Sequence, residues 1–354
     1  MSNLRLTDII VPSVFAAYVS VRTVELSNIL QSGLVNIDTS LNAFVDGPGN
    51  AISMPRRNDL PDSGSQVLEL GKEIELDRMT AGVDLAPKLF RAQGWESSQL
   101  LSALAGFNQE QEIIDKVATW WARDKQKIIL SILNGVFDSA SMEHATIDAS
   151  DEPISSNIVL AGRQVLGDNS GILSIIMMHS STRTELSRQN LIETIPNARG
   201  EIAFELYLGF RVVVNDNLPY EDGVYTTYLA SNGALQMGRG VPAGIEPVQI
   251  EEIPKLSTSA LYMRETTIIN PKGISYVKPG FENGSPLPSP SNIDLATGAN
   301  WNRSNDIEKK SIGLVRIKHA DPSKEPENGR KFYAPPTPAT APKINSRATG
   351  PTVK

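Results

Sequence analysis

One segment sets an imidazole beside hydroxyls: in IIMMHSSTRTELSRQNL, His179 precedes Ser180 and Ser181. A serine nucleophile needs its base in hydrogen-bond geometry, and neighbours in sequence at a strand-to-helix junction seldom meet that way. No G-x-S-x-G elbow is present, so the better reading is that Ser or His here caps the following helix. The glycines of MGRGVPAG (237–244) suggest a phosphate loop. However, no G-K-[ST] follows, the third glycine of the spacing is missing after Gly238 and Gly240, and Pro242 blocks a helix start, so a turn is expected. Asn215, Asp216 and Asn217 offer oxygens to calcium, but the rest of a twelve-residue loop is lacking where a strand must turn. Trp120 and Trp121 could stack on a base or a sugar; at helical spacing beside isoleucines they read better as core or subunit-interface packing. The Arg56–Arg57 pair and the lysines near the C-terminus are open to phosphate contact, with a solvated face or cross-subunit ion pairs the stronger reading. The chain has no cysteine and three histidines, His144, His179 and His319. Thiol catalysis, disulfides and cysteine-held metal centres are thereby excluded, and a histidine-rich metal site is short of ligands. The sequence thus shows no catalytic, metal or cofactor set, and the expectation is a protein that is not an enzyme.

What remains is shape. From 108 to 137 the chain reads NQEQEIIDKVATWWARDKQKIILSILNGVF, with Ile113, Ile114, Val117, Trp120, Trp121, Ile128, Ile129, Ile132, Leu133 and Val136 at the three-and-four spacing of one helix face. Asn108 is placed to cap it, Gln111 to complete a capping box, and Gly135 to end it. Such a helix is roughly 40 Å long, against a radius of gyration of about 20 Å for a compact chain of this length, and so is a spine. Before it, AISMPRR (51–57) and VLELGKEIELDRM (67–79) flank a turn-rich Pro/Asp/Ser/Gly cluster, the pattern of a long hairpin. A two-stranded ribbon alone is marginal in water and needs a neighbour to lie on.

The opening stretch mixes an extended start with a helix from Pro12 or Ser13 and reads as an arm, with no signal peptide. After the spine, helices at 156–166 and 180–189 alternate with strands at 172–178, 210–214 and 225–229, giving a mixed α/β unit over about 148–254. Strands at 261–277 and 312–318 are expected to complete a sheet with 81–95 beside the spine, so that the first domain closes last. From His319 onward, seven prolines and few apolar residues favour extended backbone. Net charge is −7, divided into +4 from Lys318 to the end and −11 before it. An acidic body repels nucleic acid, which argues against sequence-specific DNA binding. No apolar run approaches the ~20 residues of a membrane span.

Seven stretches, in order, resemble the major capsid proteins of tailed double-stranded-DNA bacteriophages: LTDIIVP (6–12), LFRAQGW (89–95), ATWWARDKQKIILSILNGVF (118–137), MHSSTRTELSRQNLIETIP (178–196), YLGFRVVVNDNLP (207–219), YTTYL (225–229) and DLATGANW (294–301). The resemblance covers roughly residues 4–320 and implies an α+β chain of Hong Kong 97-type fold. Its parts would be an N-terminal arm (1–45), an extended β-hairpin loop (46–78), a peripheral domain (79–147 and 255–318) holding the spine helix (108–135), an axial α/β domain (148–254) and a proline-rich basic C-terminal extension (319–354). The extension is a departure from the usual family end. The subunit-interface residues expected on this plan are Arg56, Arg57, Lys72, Trp95, Trp120, Trp121, Arg123, Lys331 and Tyr333.

The implied function is structural: self-assembly through hexamers and pentamers into an icosahedral head around double-stranded DNA held by non-specific contact. The implied partners are further copies of the chain, a scaffolding protein, a portal protein at one vertex and a possible decoration protein, with no membrane. The particle would assemble in the host cytoplasm and reside as the virion capsid. Lysine–asparagine crosslinking, as in the type member, is not carried over, because no spacing identifies an acceptor for Lys72. Three rivals stand beside this reading: an encapsulin-like compartment, a two-domain soluble enzyme with a hairpin lid, and a tail-tube or decoration protein.

Overall fold

The computed structural model describes residues 12–47, 49–57, 65–67, 71, 73–74, 76–78, 81–98, 109–196, 202–240, 245–253, 258–277, 289–304 and 307–321. Helix α1 (Pro12–Leu26) starts at a proline, whose fixed φ and missing N–H suit the first helical position. A short α2 (Asn28–Gln31) is capped by Ser27, whose side chain accepts from Leu30 N. Strand β1 (Val35–Ile37) and helix α3 (Asn42–Asp46) lead to β2 (Ala51–Arg57) and the 18-residue β3 (Ala81–Ser98). Helix α4 (Gln109–Asp138) has 30 residues and is therefore about 45 Å long. Next come β4 (Thr146–Pro153), α5 (Ser156–Gln164), β5 (Leu173–Met178), α6 (Ser180–Arg188), β6 (Glu193–Pro196), β7 (Ile202–Tyr207) and β8 (Phe210–Val214). They are followed by β9 (Tyr220–Glu221), β10 (Val224–Ser231), β11 (Leu235–Gly240), β12 (Val248–Ile253), β13 (Thr258–Pro271) and β14 (Ile274–Tyr276). The last described elements are α7 (Asn292–Ala296), β15 (Trp301–Arg303) and β16 (Leu314–Ala320).

The strands form two large sheets. One runs β1-β11-β13-β3-β2 with β12 also on β13; the other runs β4-β16-β10-β5-β8-β7-β6 with β9 on β10. Period-two alternation explains how the second sheet is covered on both faces. Ile175, Met177, Tyr228, Ala230 and Leu314 point into a core built on the far half of α4. Their neighbours Ile176, Met178, Leu229 and Val315 point the other way, against Ile158 and Val159 of α5 and Leu186 of α6. The first sheet supplies Leu89, Leu235, Met237 and Ile269 to the same α4 core. Between Ile128 and Phe137 the spine buries Ile128, Ile129, Leu130, Ile132, Leu133, Val136 and Phe137, which leaves it apolar nearly all round, as expected of a helix enclosed by two layers.

Several expectations are corrected here. Residues 314–320 do not close the sheet of 81–95. They pair with β10 from Val224↔Ala320 to Ala230↔Leu314, and in parallel with β4. Conversely β11 and β12, which fall inside 148–254, both belong to the sheet of β13 and β3. The expected partnership of 261–277 with 81–95 is present, as the ladder from Thr258↔Ser98 to Ile268↔Lys88. The hairpin's first side is β2 as read, but its partner is the start of β3, from Ala51↔Pro87 to Arg57↔Ala81, and no strand occurs among the described residues of 65–78.

Gly135 does not end the spine, which continues to Asp138. It is a contact glycine: a Cβ there would meet Leu295 O at 2.1 Å and Trp301 Nε1 at 2.7 Å. The expected turn at 237–244 is strand through Gly240, and a Cβ on Gly238 or Gly240 would strike Leu41 or Val45, which pack onto β11. The proline-rich extension begins later than His319, since that residue and Ala320 belong to β16 and Asp321 is buried. Asn108 lies outside the described residues.

Candidate assembly surfaces

The spine packs on α1 through a tryptophan cluster. Trp121 is 2% exposed and lies with Phe15 and Val19 of α1, Val117 and Ala118 of α4, and Val248, Leu261 and Met263 of the first sheet. Trp120 is half-buried and meets Trp95 edge-on at 5.5 Å and Trp121 at 5.1 Å. Such edge-to-face pairs contribute about 0.5–1.5 kcal/mol beyond the area they cover. Within the chain the pair is packed against the Phe15–Val19 face of α1 together with Trp95. Arg123 is exposed on the same helix. Arg56 and Arg57 end β2, opposite Gly82 and Ala81. Lys72, Lys331 and Tyr333 lie outside the described residues.

Charged groups missed in the sequence hold these elements together. Lys125, 2% exposed, donates to Glu265 Oε1 at 2.8 Å, and Arg239 Nε lies 3.6 Å from the same oxygen. Burial pulls the Lys125 ammonium pKa down and Glu265 opposes it. The signal was present: Lys125 stands four residues after Trp121, inside the apolar stripe, where a cation requires a buried acid. Lys88, 1% exposed, donates from Nζ to Val45 O at 3.0 Å and to Gly47 O, the free carbonyls at the end of α3, and burial lowers its pKa too. A cation at a helix C-terminus is favoured by the helix dipole, so Lys88 fastens α3 to the root of the β2–β3 ribbon. Arg316 does the same for the spine, with Nη2 donating to Phe137 O at 3.1 Å and Nη1 to Asp138 Oδ1 at 2.6 Å.

At the junction that suggested a hydrolase, His179 is the N-cap of α6, its Nδ1 accepting from Ser181 N at 3.1 Å. The imidazole is occupied with the backbone, as the capping reading requires. Ser180 N donates to Asp216 Oδ1 at 3.1 Å, and the Ser180 side chain first, then this backbone contact, holds the Asp216 carboxyl below the usual carboxylate range. Asn217 N donates to Asn215 Oδ1 at 2.8 Å, so 215–217 is the turn expected after β8. On β16, buried His319 lies with Nδ1 3.0 Å from Ala320 O and Nε2 3.0 Å from Thr227 Oγ1. Because a carbonyl only accepts, Nδ1 carries the proton and Nε2 accepts from the threonine.

Beyond the ribbon's last described pair, Val67, Ile74 and Leu76 are 84%, 62% and 86% exposed, and Val83 on the stem is 60% exposed. Exposed apolar side chains gathered in this segment are surface that the described residues leave uncovered. Among the described residues no group of three His, Cys, Asp or Glu is placed to hold a metal, and no helix is long and apolar enough to cross a membrane.

Solved structures share this architecture. One from Microbacterium phage Oxtober96 matches with a TM-score of 0.52 at 11% identity, over 83% of this chain and 91% of that one. The capsid asymmetric unit of cyanophage Pam1 gives 0.51 at 10% identity over 85% and 94%, and the capsid of Ralstonia phage GP4 gives 0.51 at 10% over 84% and 91%. The fold is thus the Hong Kong 97 type. No protein-family model matches the chain. The major capsid protein of Bacillus phage SPP1 is 35% identical over 329 residues, spanning 90% of this chain and 99% of that protein. The chain belongs to the major capsid proteins of tailed bacteriophages and is a structural, self-associating subunit of the virion's icosahedral head; an encapsulin-like compartment is not favoured.

Proposed function

We propose that the chain assembles through hexamers and pentamers around double-stranded DNA, with the β2–β3 ribbon lying over the adjacent subunit. The observation that carries this is the exposure of Val83 on the ribbon and of Val67, Ile74 and Leu76 in the segment between its two strands, whose described pairing stops at Arg57↔Ala81. In domain terms, 1–45 is the arm, 46–78 the extended loop, and the first sheet with the spine the peripheral domain. The eight-stranded sheet with α5 and α6 is the axial domain meeting its copies at capsomer centres. It takes in β16 from outside the expected 148–254 and gives up β11 and β12. The body's charge of −11 up to residue 317 supports a wall along which packaged DNA slides without sticking.

The protein performs no catalysis in this role. Its further partners are a scaffolding protein during assembly in the host cytoplasm, a portal protein at one vertex and, outside, a decoration protein. Arg56, Arg57, Lys72, Trp95, Trp120, Arg123, Lys331 and Tyr333 serve contacts between subunits, and Trp121 the packing beneath them. The test is electron microscopy of the expressed chain with and without a co-expressed scaffolding partner. Closed shells are the expected result; a compact monomer under both conditions refutes the reading.

A further inference from the structure

The eight-stranded sheet ends on β4, whose outer side pairs with no strand among the described residues. This edge runs from Thr146 to Pro153, with a register shift against β16 after Ala149 and the Ser150 N–H held by Asp148 Oδ1 at 3.1 Å; an open edge is a template for another strand, and this one has a polarity. Ile147 is near its start, Asp148 follows, and exposed Asp151 and Glu152 are near its end. β16 runs parallel beside it with Ala320 opposite Pro153, so the C-terminal segment leaves the body at the acidic end of that edge. Its root is fixed: Asp321 N donates to Gly223 O at 2.8 Å, and Tyr220 OH donates to Asp321 Oδ2 at 3.1 Å.

Residues 322–354 carry six basic and two acidic side chains, and prolines divide them. Pro326 and Pro335 bound ENGRKFYA, a proline-free run of the same eight-residue length as β4. Without proline every residue of the run keeps the N–H a ladder needs, and its Phe332–Tyr333 pair favours strand. Set end to end and antiparallel on β4, the run places Arg330 and Lys331 within two positions of Asp148 and Asp151, and Tyr333 opposite Ile147. A parallel alignment would set the aromatics against the acidic end.

We propose that residues 327–334 of one subunit add as an antiparallel strand to the β4 edge of a neighbouring subunit. This rests on the shell reading, in which copies stand side by side at high effective concentration. The five residues 322–326 span up to about 17 Å, which is the reach the proposal allows between the root at Asp321 and the neighbour's β4. Donor and acceptor are different surfaces, so the exchange is heterologous and closes around a capsomer. Strand pairing supplies the backbone bonds, and the charge pattern sets the direction.

The absence of native cysteines makes the test clean. Ser150→Cys and Arg330→Cys, opposite each other in this register, are placed in the full chain, particles are assembled, and a short bismaleimide is added. Most of the chain should move to a ladder of dimers and higher multimers on a denaturing gel. Crosslinks confined within single chains overturn the proposal, as does an equal ladder from Glu251→Cys with Arg330→Cys, which probes the acidic edge of β12. Hydrogen exchange of β4 amides should quicken at least tenfold in particles lacking 322–354, and unchanged exchange also overturns it. Particles that form without crosslinks refute this strand alone; failure to form particles at all, even with a scaffolding partner, refutes the shell reading beneath it.

Discussion

At the scale of single residues, the positions that matter most are those that look ordinary in the sequence. Gly135 lies in the last turn of the spine under the Trp301 indole, which donates from Nε1 to Leu295 O at 2.7 Å. A methyl group at Gly135 would meet that same carbonyl oxygen. Alanine is the better helix former, so propensity alone predicts that Gly135→Ala stabilises by about 1 kcal/mol. Overpacking wins instead, with a net loss of about 1–3 kcal/mol read as a lower melting temperature. His319 carries a pH dependence. Burial pushes its pKa from 6.5 down to about 4, so the folded ring stays neutral while the unfolded chain takes up a proton. Its stabilisation is complete above pH 6.5, is lost as pH falls from 6.5 towards 4, and totals up to about 3 kcal/mol. His144 is shifted in the same direction, first by burial and then by Lys309 and Arg303. Denaturation between pH 7 and 4 should therefore show a shallower slope for His319→Gln than for the native chain; equal slopes would mean the ring protonates in place.

At the scale of elements, the spine's two halves are held differently. The far half is enclosed by both sheets, whereas the near half rests on α1 and the β12–β13 ladder through Trp121. Trp121→Ala removes the largest side chain of that contact and should cost about 3–5 kcal/mol in chemical denaturation, with the half-buried Trp120→Ala costing less. The double variant should form no particles, and normal particles from it would show that the α1–α4 contact is dispensable. Which parts of this plan were legible follows from what is local. The helices of 156–164 and 180–188, the cap at His179, and strands such as 210–214 are written in spacing and in residues beside one another. Pairing is not. β16 joins β10 across some ninety residues, and nothing in LVRIKHA distinguishes that partner from β3. Gly135, Gly238 and Gly240 were misread for a related reason: a glycine kept for close approach looks the same as one kept for a turn. Lys125 was legible in principle, as a cation in an apolar stripe, but its acid lies 140 residues away.

At the scale of the whole molecule, the body and its projections are separable in energy. Every large buried cluster is built from the sheets and the helices packed on them, whereas the described residues of 65–78 contribute none of their side chains to a core. Those described residues can therefore be removed without opening a buried cluster. Arg57 and Ala81 face each other as the last described pair of the ribbon, so replacing residues 58–80 by Asn-Gly closes a two-residue hairpin whose turn matches the twist of its strands. That variant should melt within a few degrees of the native chain, because Lys88, Leu41 and Val45 still fasten the ribbon's root. It should nevertheless fail to close shells, since the apolar surface of Val67, Ile74 and Leu76 would be gone from every subunit at once. Sedimentation and electron microscopy of the two chains, each with the same scaffolding partner, decide the matter. Closed shells from the shortened chain would place the contacts that seal the head on the body, and an unfolded shortened chain would show that the loop supports its own subunit.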